Sequence, residues 1–293
     1  MLSVKNQSIR VMQITLLFSL ALWLSGCSWL ISTSSQGLAN NLSKAVNAHD
    51  DPETVASALP AYMLILEGIL HNQPNNENLL LKTAALYSVY VGFIDEEDDA
   101  RKQRLSDRAW RYAERAFCNA VNTPCPIQSL PHEDFQKLVD SMTPDQLELY
   151  YTLGAAWANW IHANKDDWNA VAQLPQVSAI MTKIVELDER YELGAAHMYL
   201  GVLNTLLPPA LGGKPDIGQK HFLRAMDISD DRSLMPKVLY ARHYARLIFD
   251  RELHDSLLNE VIEYEHQNPD YTLINAVARK QAQQLLISGD DFF

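Results

Sequence analysis

Apolar residues recur at spacings of three and four positions along most of the chain, and runs in which apolar and polar residues alternate are absent. The first spacing is that of an amphipathic α-helix, whereas alternation is typical of a half-buried strand. Glycine is scarce, with 11 among 293 residues, and most prolines stand at the start of an apolar segment or between segments. The pattern therefore predicts an all-α fold.

Three segments are apolar on nearly every face: 79–94, 147–161 and 193–206. Helices of this kind need cover on most sides. Each segment mixes aromatic residues with small ones, which let a neighbouring helix approach closely, and each is followed by an amphipathic segment. The followers are 101–120, 169–187 and 216–228, and further helices are predicted at 236–250, 252–267 and 273–287. We predict a stack of repeated helical hairpins.

The third hairpin has the internal spacing of a tetratricopeptide repeat (TPR). The signature positions are Leu200, Gly201 and Asn204 in its first helix and Gly218, Phe222 and Ala225 in its second. The interval between the two helices is longer than in the repeat, and Pro208 to Lys214 fill the extra length. For residues 42–293 we therefore predict an all-α, helical-hairpin (TPR-like) solenoid with inserted inter-helix loops.

Capping residues mark two helix starts. In Thr143-Pro144-Asp145-Gln146, the threonine is a capping residue, and the proline stands at the first helical position, where its missing N–H costs nothing. The glutamine stands where a capping box requires it. Asp51-Pro52-Glu53 repeats the arrangement. Helices are therefore predicted to begin at these two sites.

The N-terminus has the layout of a bacterial lipoprotein signal. Lys5 and Arg10 form a basic region, residues 11–24 an apolar stretch, and Leu24-Ser25-Gly26-Cys27 a lipobox. A transmembrane anchor, the rival interpretation, needs about 20 apolar residues, and this stretch is shorter. We predict a signal peptide over 1–26, lipidation of Cys27 and a flexible tether over 27–41. Because serine rather than aspartate follows Cys27, the expected destination is the periplasmic face of the outer membrane rather than the inner membrane.

The charge balance excludes one class of partner. The formal net charge is −12, and it becomes −14 when the signal peptide removes Lys5 and Arg10. Nucleic-acid binding depends on Lys and Arg that neutralise phosphates, so no nucleic-acid partner is predicted. An anionic lipid surface is disfavoured for the same reason, and membrane attachment is expected to rest on the acyl chains.

Two cysteines remain once Cys27 is assigned to lipid. Cys118 and Cys125 are close in sequence, and in an oxidising periplasm a disulfide between them is the favoured interpretation. A zinc pair is the weaker alternative, because six intervening residues are too many for the usual ligand knuckle.

Catalytic signatures are missing from the sequence. There is no Gly-x-Ser-x-Gly elbow, and His132-Glu133-Asp134-Phe135-Gln136 has glutamine where a zinc protease needs its second histidine. Gly212-Gly213-Lys214-Pro215 lacks both the upstream glycine and the Ser or Thr of a phosphate-binding loop. The nine histidines include no His-x3-His pair. We therefore predict no enzyme activity, no metal site and no cofactor.

Aromatic residues crowd the segment 147–161. Tyr150, Tyr151, Trp157 and Trp160 lie within or next to it. Large rings dominate burial in packed helices, which favours a core role. The alternative is an aromatic-lined cleft whose Tyr and Trp polar atoms orient a ligand.

Further motifs are spread over about residues 40–293. They are Asn78-Leu79-Leu80-Leu81 leading into Ala84-Ala85-Leu86-Tyr87, Ala155-Ala156-Trp157-Ala158-Asn159-Trp160-Ile161, Gly194-Ala195-Ala196-His197, Leu207-Pro208-Pro209, Gly212-Gly213-Lys214-Pro215, His221-Phe222 with Ala225, and the closing Asp290-Asp291-Phe292-Phe293. Together they resemble the T-component family associated with tripartite ATP-independent periplasmic (TRAP) transporters. The resemblance implies a periplasmic lipoprotein of cryptic TPR-like helices that forms a homotrimer, partners the solute-binding P subunit and offers a hydrophobic cleft or pore. It brings no catalytic residues.

The resemblance places the family's aromatic helix at Tyr150, Trp157 and Trp160. The residues expected to line a ligand cleft are Tyr87, Tyr150, Trp157, Trp160 and Tyr199, and the expected loop contacts are Pro208, Gly212, Gly213 and Lys214. The leading hypothesis is a non-enzymatic, lipid-anchored repeat protein that docks a periplasmic solute-binding protein and shelters a small hydrophobic molecule. An envelope or outer-membrane assembly scaffold lipoprotein is the runner-up, and an enzyme is the third option.

Overall fold

The computed structural model describes residues 44–94, 98–265 and 268–293. The chain divides into two units, 1–48 and 49–293, and the second carries every helix named below. Of the first unit only 44–48 are described. The predicted signal peptide, the lipidated cysteine and the tether therefore lie outside the described residues.

The described residues form α-helices and short 3-10 or π turns, without a strand. The helices are α1 (Pro52–Asn72), α2 (Glu77–Val91), α3 (Asp99–Val121), α4 (His132–Asp140), α5 (Leu147–Ala163), α6 (Trp168–Val171), α7 (Leu174–Asp188), α8 (Ala195–Thr205), α9 (Pro215–Ser229), α10 (Met235–Leu239), α11 (Arg251–Glu263) and α12 (Thr272–Phe292). The predicted all-α class is confirmed.

Both predicted caps are present. The Asp51 carboxylate accepts a hydrogen bond of 2.9 Å from the Glu53 N–H at the start of α1. Before α5, the Gln146 side-chain oxygen accepts a bond of 3.1 Å from the Thr143 N–H, and Pro144–Gln146 form a 3-10 turn that leads into the helix. These bonds satisfy backbone N–H groups that have no partner inside a helix.

Three predicted helices have different boundaries in the structure. Segment 169–187 is divided into α6 and α7. The helix predicted from 193 begins only at Ala195, because Glu192 and Leu193 have positive φ angles of 48° and 55° and cannot continue a right-handed helix. The segment 236–250 contains α10 followed by a π turn over Tyr240–Ala245.

Consecutive helices pack against each other along the chain. Contacts join α1 to α2, α2 to α3, α7 to α8, α8 to α9 and α11 to α12, while α5 packs against α2, α3 and α7. The first and last helices also touch, and Lys280 Nζ lies 3.3 Å from Glu53 Oε1. The two ends of the helical domain therefore meet.

Glycines set the closest helix contacts. A Cβ atom on Gly201 of α8 would lie 2.7 Å from the Phe222 ring of α9, and one on Gly218 would lie 2.6 Å from Thr205 Cγ2. These are positions of the predicted TPR signature. Between α5 and α7, a Cβ on Gly154 would approach Met181 Cε to 2.7 Å. A larger residue at Gly201 or Gly218 would therefore clash with the facing helix, whereas at Gly154 the flexible end of Met181 would have to move.

Two of the three segments predicted to be apolar on nearly every face differ in how far other helices cover them. α5 buries ten residues, including the consecutive stretch from Thr152 to Trp157. α2 buries five residues and leaves Ala85 and Val89 exposed. The expected cover on most sides therefore holds for α5, whereas no described helix packs over the outer side of α2 at these two residues.

The glycine contacts give a matched pair of stability measurements. Gly201→Ala removes a helix-interior glycine, but the new methyl group meets the buried Phe222 ring, so we expect a net loss of about 1–3 kcal/mol in the free energy of unfolding. In the control Gly68→Ala, the new Cβ has no neighbour within 4 Å, and we expect a gain of about 0.5–1 kcal/mol. Denaturant unfolding followed by circular dichroism measures both. Equal effects would contradict the close approach of α8 and α9.

Candidate functional site

Tyr150 and Trp157, two residues of the predicted ligand cleft, are buried in the helical core. The Trp157 ring lies 4.7 Å from that of Trp110, and its Nε1 donates a hydrogen bond of 2.8 Å to Gln173 Oε1. The Tyr150 ring packs edge-on against Phe117, and its hydroxyl donates to the Leu138 carbonyl. Because their polar atoms are bonded within the protein, both rings serve the packing of α5.

Trp160 and Tyr87, two more residues of the predicted cleft, lie in two different side-chain clusters. Trp160 is partly exposed, and its Nε1 donates a hydrogen bond of 2.7 Å to Asp107 Oδ1 of α3. Its ring lies 6.3 Å from the ring of Trp110, which in turn contacts Trp157. Tyr87 is buried and belongs to a separate cluster, with its ring 5.8 Å from that of Tyr112. The five residues predicted to line one cleft are thus divided among separate side-chain clusters.

Glu67 of α1 is the centre of the cluster that holds Tyr87. Its Oε1 accepts hydrogen bonds from Tyr87 (2.8 Å), Tyr112 (2.9 Å) and Arg108 (2.6 Å). Burial alone would raise the pKa of Glu67, but these bonds and the Arg108 charge outweigh it and lower the pKa. Burial and the bond to Glu67 raise the pKa of Tyr112 to about 12. Sequence reasoning did not find this link, because its members lie on three helices.

Tyr199 lies in a group of three tyrosines. Its ring is 6.1 Å from that of Tyr151 on α5, and the Tyr151 ring is 5.4 Å from that of Tyr191. Burial raises the pKa of Tyr199 and of Tyr191 to about 12, and burial also raises the pKa of Tyr151 well above its usual range. All three side chains nevertheless keep some accessible surface. The three rings therefore pack edge-on beside one another and are largely shielded from solvent.

The predicted loop residues form a tight connection between α8 and α9. The Lys214 N–H donates a hydrogen bond of 2.8 Å to the Asn204 carbonyl, and the Gly213 N–H donates to the Pro208 carbonyl. Gly212 has a φ angle of 94°, and a Cβ on Gly213 would overlap the Leu207 carbonyl oxygen. The two glycines are therefore required by the backbone of the loop, whatever else the loop contacts.

Cys118 and Cys125 are joined by a disulfide bond in the structure, with an S–S distance of 1.93 Å. α3 ends at Val121, and the left-handed backbone of the following Asn122 turns the chain back towards the helix. After the bridge, the Ile127 N–H donates a hydrogen bond of 2.9 Å to Glu114 Oε1. The segment after α3 is thus held against α3 by a covalent bond and a hydrogen bond.

Two histidines from α8 and α9 meet in space. The Nδ1 atoms of His197 and His221 lie 2.8 Å apart, so one ring donates a hydrogen bond to the other. His197 Nε2 also lies 3.7 Å from Glu189 Oε2. Burial lowers the pKa of both histidines, and that of His221 falls to about 4 with a further contribution from His197. Within the described residues, no group of three or more His, Cys, Asp or Glu side chains is arranged to hold a metal ion.

A polar cleft of about 810 Å³ opens beside α3 and the disulfide. Arg108, Arg111 and Arg115 line it together with Tyr112 and the start of α2. Neither the sequence motifs nor the family resemblance indicated this cleft. The signal that was available is the spacing of the three arginines, which places them on one face of a helix.

α1 leaves an apolar strip uncovered. Leu64 and Ile65 are 67% and 58% exposed, and Ile69 is exposed beside them. The inner side of α1 is buried, and α1 is the one helix in the described residues that is long and apolar enough to cross a membrane by composition. Its five buried residues and its bond through Glu67 show that it is part of the packed helical domain.

The described residues of 49–293 thus form an all-helical domain of packed helices with aromatic clusters on and around α5. The model of the TRAP transporter T-component family (TAtT) matches residues 48–293. The chain belongs to this family, and it is therefore a TRAP transporter component. The family is one of transporter components rather than of enzymes. None of the curated proteins compared with the chain is significantly similar to it.

The buried histidines predict an acid-sensitive fold. The pKa of His221 and that of His243 are both lowered to about 4 in the folded chain, against 6.5 for a free histidine. The unfolded chain therefore binds more protons below pH 6.5, and the free energy of unfolding falls as the pH drops towards 4. The loss for one such histidine is about 2 kcal/mol at pH 5 before solvent screening reduces it.

Thermal unfolding between pH 7.5 and 4.5 measures this loss. We expect the His221→Gln variant to have a shallower fall of Tm with decreasing pH than the unmodified chain. The exposed His132 supplies the control, and His132→Gln should leave the slope unchanged. A slope that is the same in all three proteins would contradict the assignment of the acid sensitivity to His221.

Proposed function

We propose that the chain is a lipid-anchored, periplasmic helical-repeat protein that docks the solute-binding P subunit of a TRAP transport system. The observation that carries the proposal is the family match over 48–293, which spans the helical domain. The lipobox ending at Cys27 stands directly upstream and supports attachment at the periplasmic face of the outer membrane. The P subunit is the partner implied by the resemblance.

A TPR-like arrangement is part of this proposal. α8 and α9 form a hairpin whose closest contacts are at Gly201 with Phe222 and at Gly218 with Thr205. In the other two predicted hairpins, α2 packs against α3 and α5 packs against α7. Stacked helical hairpins present extended surfaces for other proteins, which suits a docking role better than catalysis.

A small hydrophobic ligand would best fit beside the tyrosine group. Tyr199, Tyr151 and Tyr191 pack edge-on against one another, and their hydroxyl groups would supply the few polar atoms that orient a ligand in an apolar pocket. Tyr150 and Trp157 are buried in the core and are not part of this tyrosine group. Among the residues predicted to line the cleft, Tyr199 is the one in this tyrosine group.

A homotrimer completes the proposal. The apolar strip Leu64, Ile65 and Ile69 on α1 is long enough to favour contact with another surface, because exposed apolar side chains gain free energy on burial. The family resemblance implies three copies, and this strip supplies a surface through which copies could associate.

Co-purification from detergent-solubilised membranes tests the proposed function. We expect the tagged full chain to recover a periplasmic solute-binding protein, and light scattering of the purified chain to give the mass of three copies. The physical reason is that a docking protein keeps its partner when the membrane is removed. A monomeric mass together with no solute-binding protein would refute the transporter proposal.

The lipid anchor has a test of its own. Cys27→Ser removes the acceptor of the acyl chains, so we expect the variant to leave the membrane fraction and appear, folded, in the soluble fraction. Cell fractionation followed by circular dichroism measures both properties. Cys118→Ser also removes one cysteine, but it lies in the helical domain and should leave membrane attachment intact. Membrane retention of the Cys27→Ser variant would disprove the signal assignment.

A further inference from the structure

The solvent face of α3 is unusual in a chain with a net charge of −12. Between Ala100 and Ala120, no exposed residue of this helix is acidic. The exposed residues between these two are Arg101, Gln103, Arg104, Arg108, Arg111, Arg115 and Asn119, which we call the cationic face. The five arginines follow one another at spacings of three and four, so they share one side of the helix.

The acidic residues within α3 point elsewhere. Asp107 is partly buried and accepts a hydrogen bond of 2.7 Å from Trp160 Nε1. Glu114 is also partly buried, and it accepts the bond from the Ile127 N–H. Both carboxylates are therefore bonded to groups outside the cationic face, and among the described residues neither has a hydrogen bond or ion pair with an arginine of α3.

Among the residues that the structure describes, only one arginine of this face forms an ion pair. Arg108 is paired with Glu67, but Arg101 donates to the neutral Tyr90 hydroxyl at 2.8 Å and Arg115 to the neutral Asn75 side chain at 3.1 Å. Arg104 and Arg111 have no hydrogen bond or ion pair with any residue that the structure describes. Like charges at these spacings repel one another on a helix, so the stability of α3 does not account for Arg104 and Arg111.

The polar cleft lies at one end of the cationic face. Its three guanidinium groups come from Arg108, Arg111 and Arg115, and two of them are held in place by Glu67 and Asn75. Glu77 and Glu114 also line the cleft, and Glu114 is already bonded to Ile127. Guanidinium groups bind carboxylates through paired hydrogen bonds.

We propose that the cationic face and this cleft bind an acidic surface of a protein partner, with Asp or Glu side chains of a protruding loop or helix entering the cleft. An anionic membrane fits less well, because a flat bilayer cannot enter the cleft. The inference rests on the proposed function in one respect: it takes the partner to be a protein. It does not depend on that protein being the P subunit.

A labelled peptide of ten glutamates is the probe. Fluorescence anisotropy of the peptide with the purified full chain measures binding at about 50 mM and about 300 mM salt, since salt screens exposed charges. We expect binding at low salt that weakens at high salt, and a loss of about tenfold in affinity for the double variant Arg104→Gln/Arg111→Gln. Both residues are exposed and contact no described partner, so the fold should be retained, which circular dichroism verifies.

The matched control changes the net charge by the same amount elsewhere. Arg190 and Lys220 are exposed and lie outside α3, and Arg190→Gln/Lys220→Gln should change the affinity less than twofold. Equal losses in the two double variants, or no salt-sensitive binding of the peptide, would overturn the inference. So would binding to phosphatidylglycerol vesicles that depends on Arg104 and Arg111 while peptide binding does not.

Adding the α3 double variant to the co-purification separates the two proposals. If the solute-binding protein is recovered by the unmodified chain and equally by Arg104→Gln/Arg111→Gln, the proposed function stands and the cationic face is not the docking surface. If no solute-binding protein is recovered but the peptide still binds through α3, the identity of the partner is wrong and the acidic-surface inference stands.

Discussion

The burial of α5 between neighbouring helices is the constraint on which the rest of the helical domain depends. Ten of its residues are buried, and a helix that is apolar on so many sides is stable only between other helices. α2, α3 and α7 provide that cover, and Gly154 lets α7 approach to the distance of direct side-chain contact. The positions of Trp157 and Tyr150 follow from this arrangement, because both rings fill the space that the surrounding helices enclose.

Some aromatic residues of α5 fill the core, whereas others stay partly exposed. On α5, Trp157 is buried and bonded to Gln173, whereas Tyr151 keeps accessible surface beside Tyr191 and Tyr199. Six positions along α5 separate Tyr151, which stays partly exposed, from Trp157, which faces the core. This is why a crowd of rings in the sequence supported both a core and a cleft.

Charge is distributed unevenly over a chain that is acidic as a whole. Glu67 is partly buried, and it is stabilised there by two tyrosines and Arg108. On the solvent side of the same contact, the exposed charged residues of α3 after Asp99 are all arginines. The overall negative charge therefore says little about the local field at α3, where the arrangement favours a carboxylate-bearing surface.

The sequence by itself determined the all-α class, the helix starts at Asp51 and Thr143 and the small residues through which helices meet, because helix period and capping are local properties. It also carried the family resemblance. Only the tertiary structure decided that Glu192 and Leu193 interrupt a helix, that Tyr150 and Trp157 lie in the core, and that Arg111 lines a cleft. These outcomes depend on contacts between segments distant in the chain, and a period of three and four residues contains no record of which face another helix will cover.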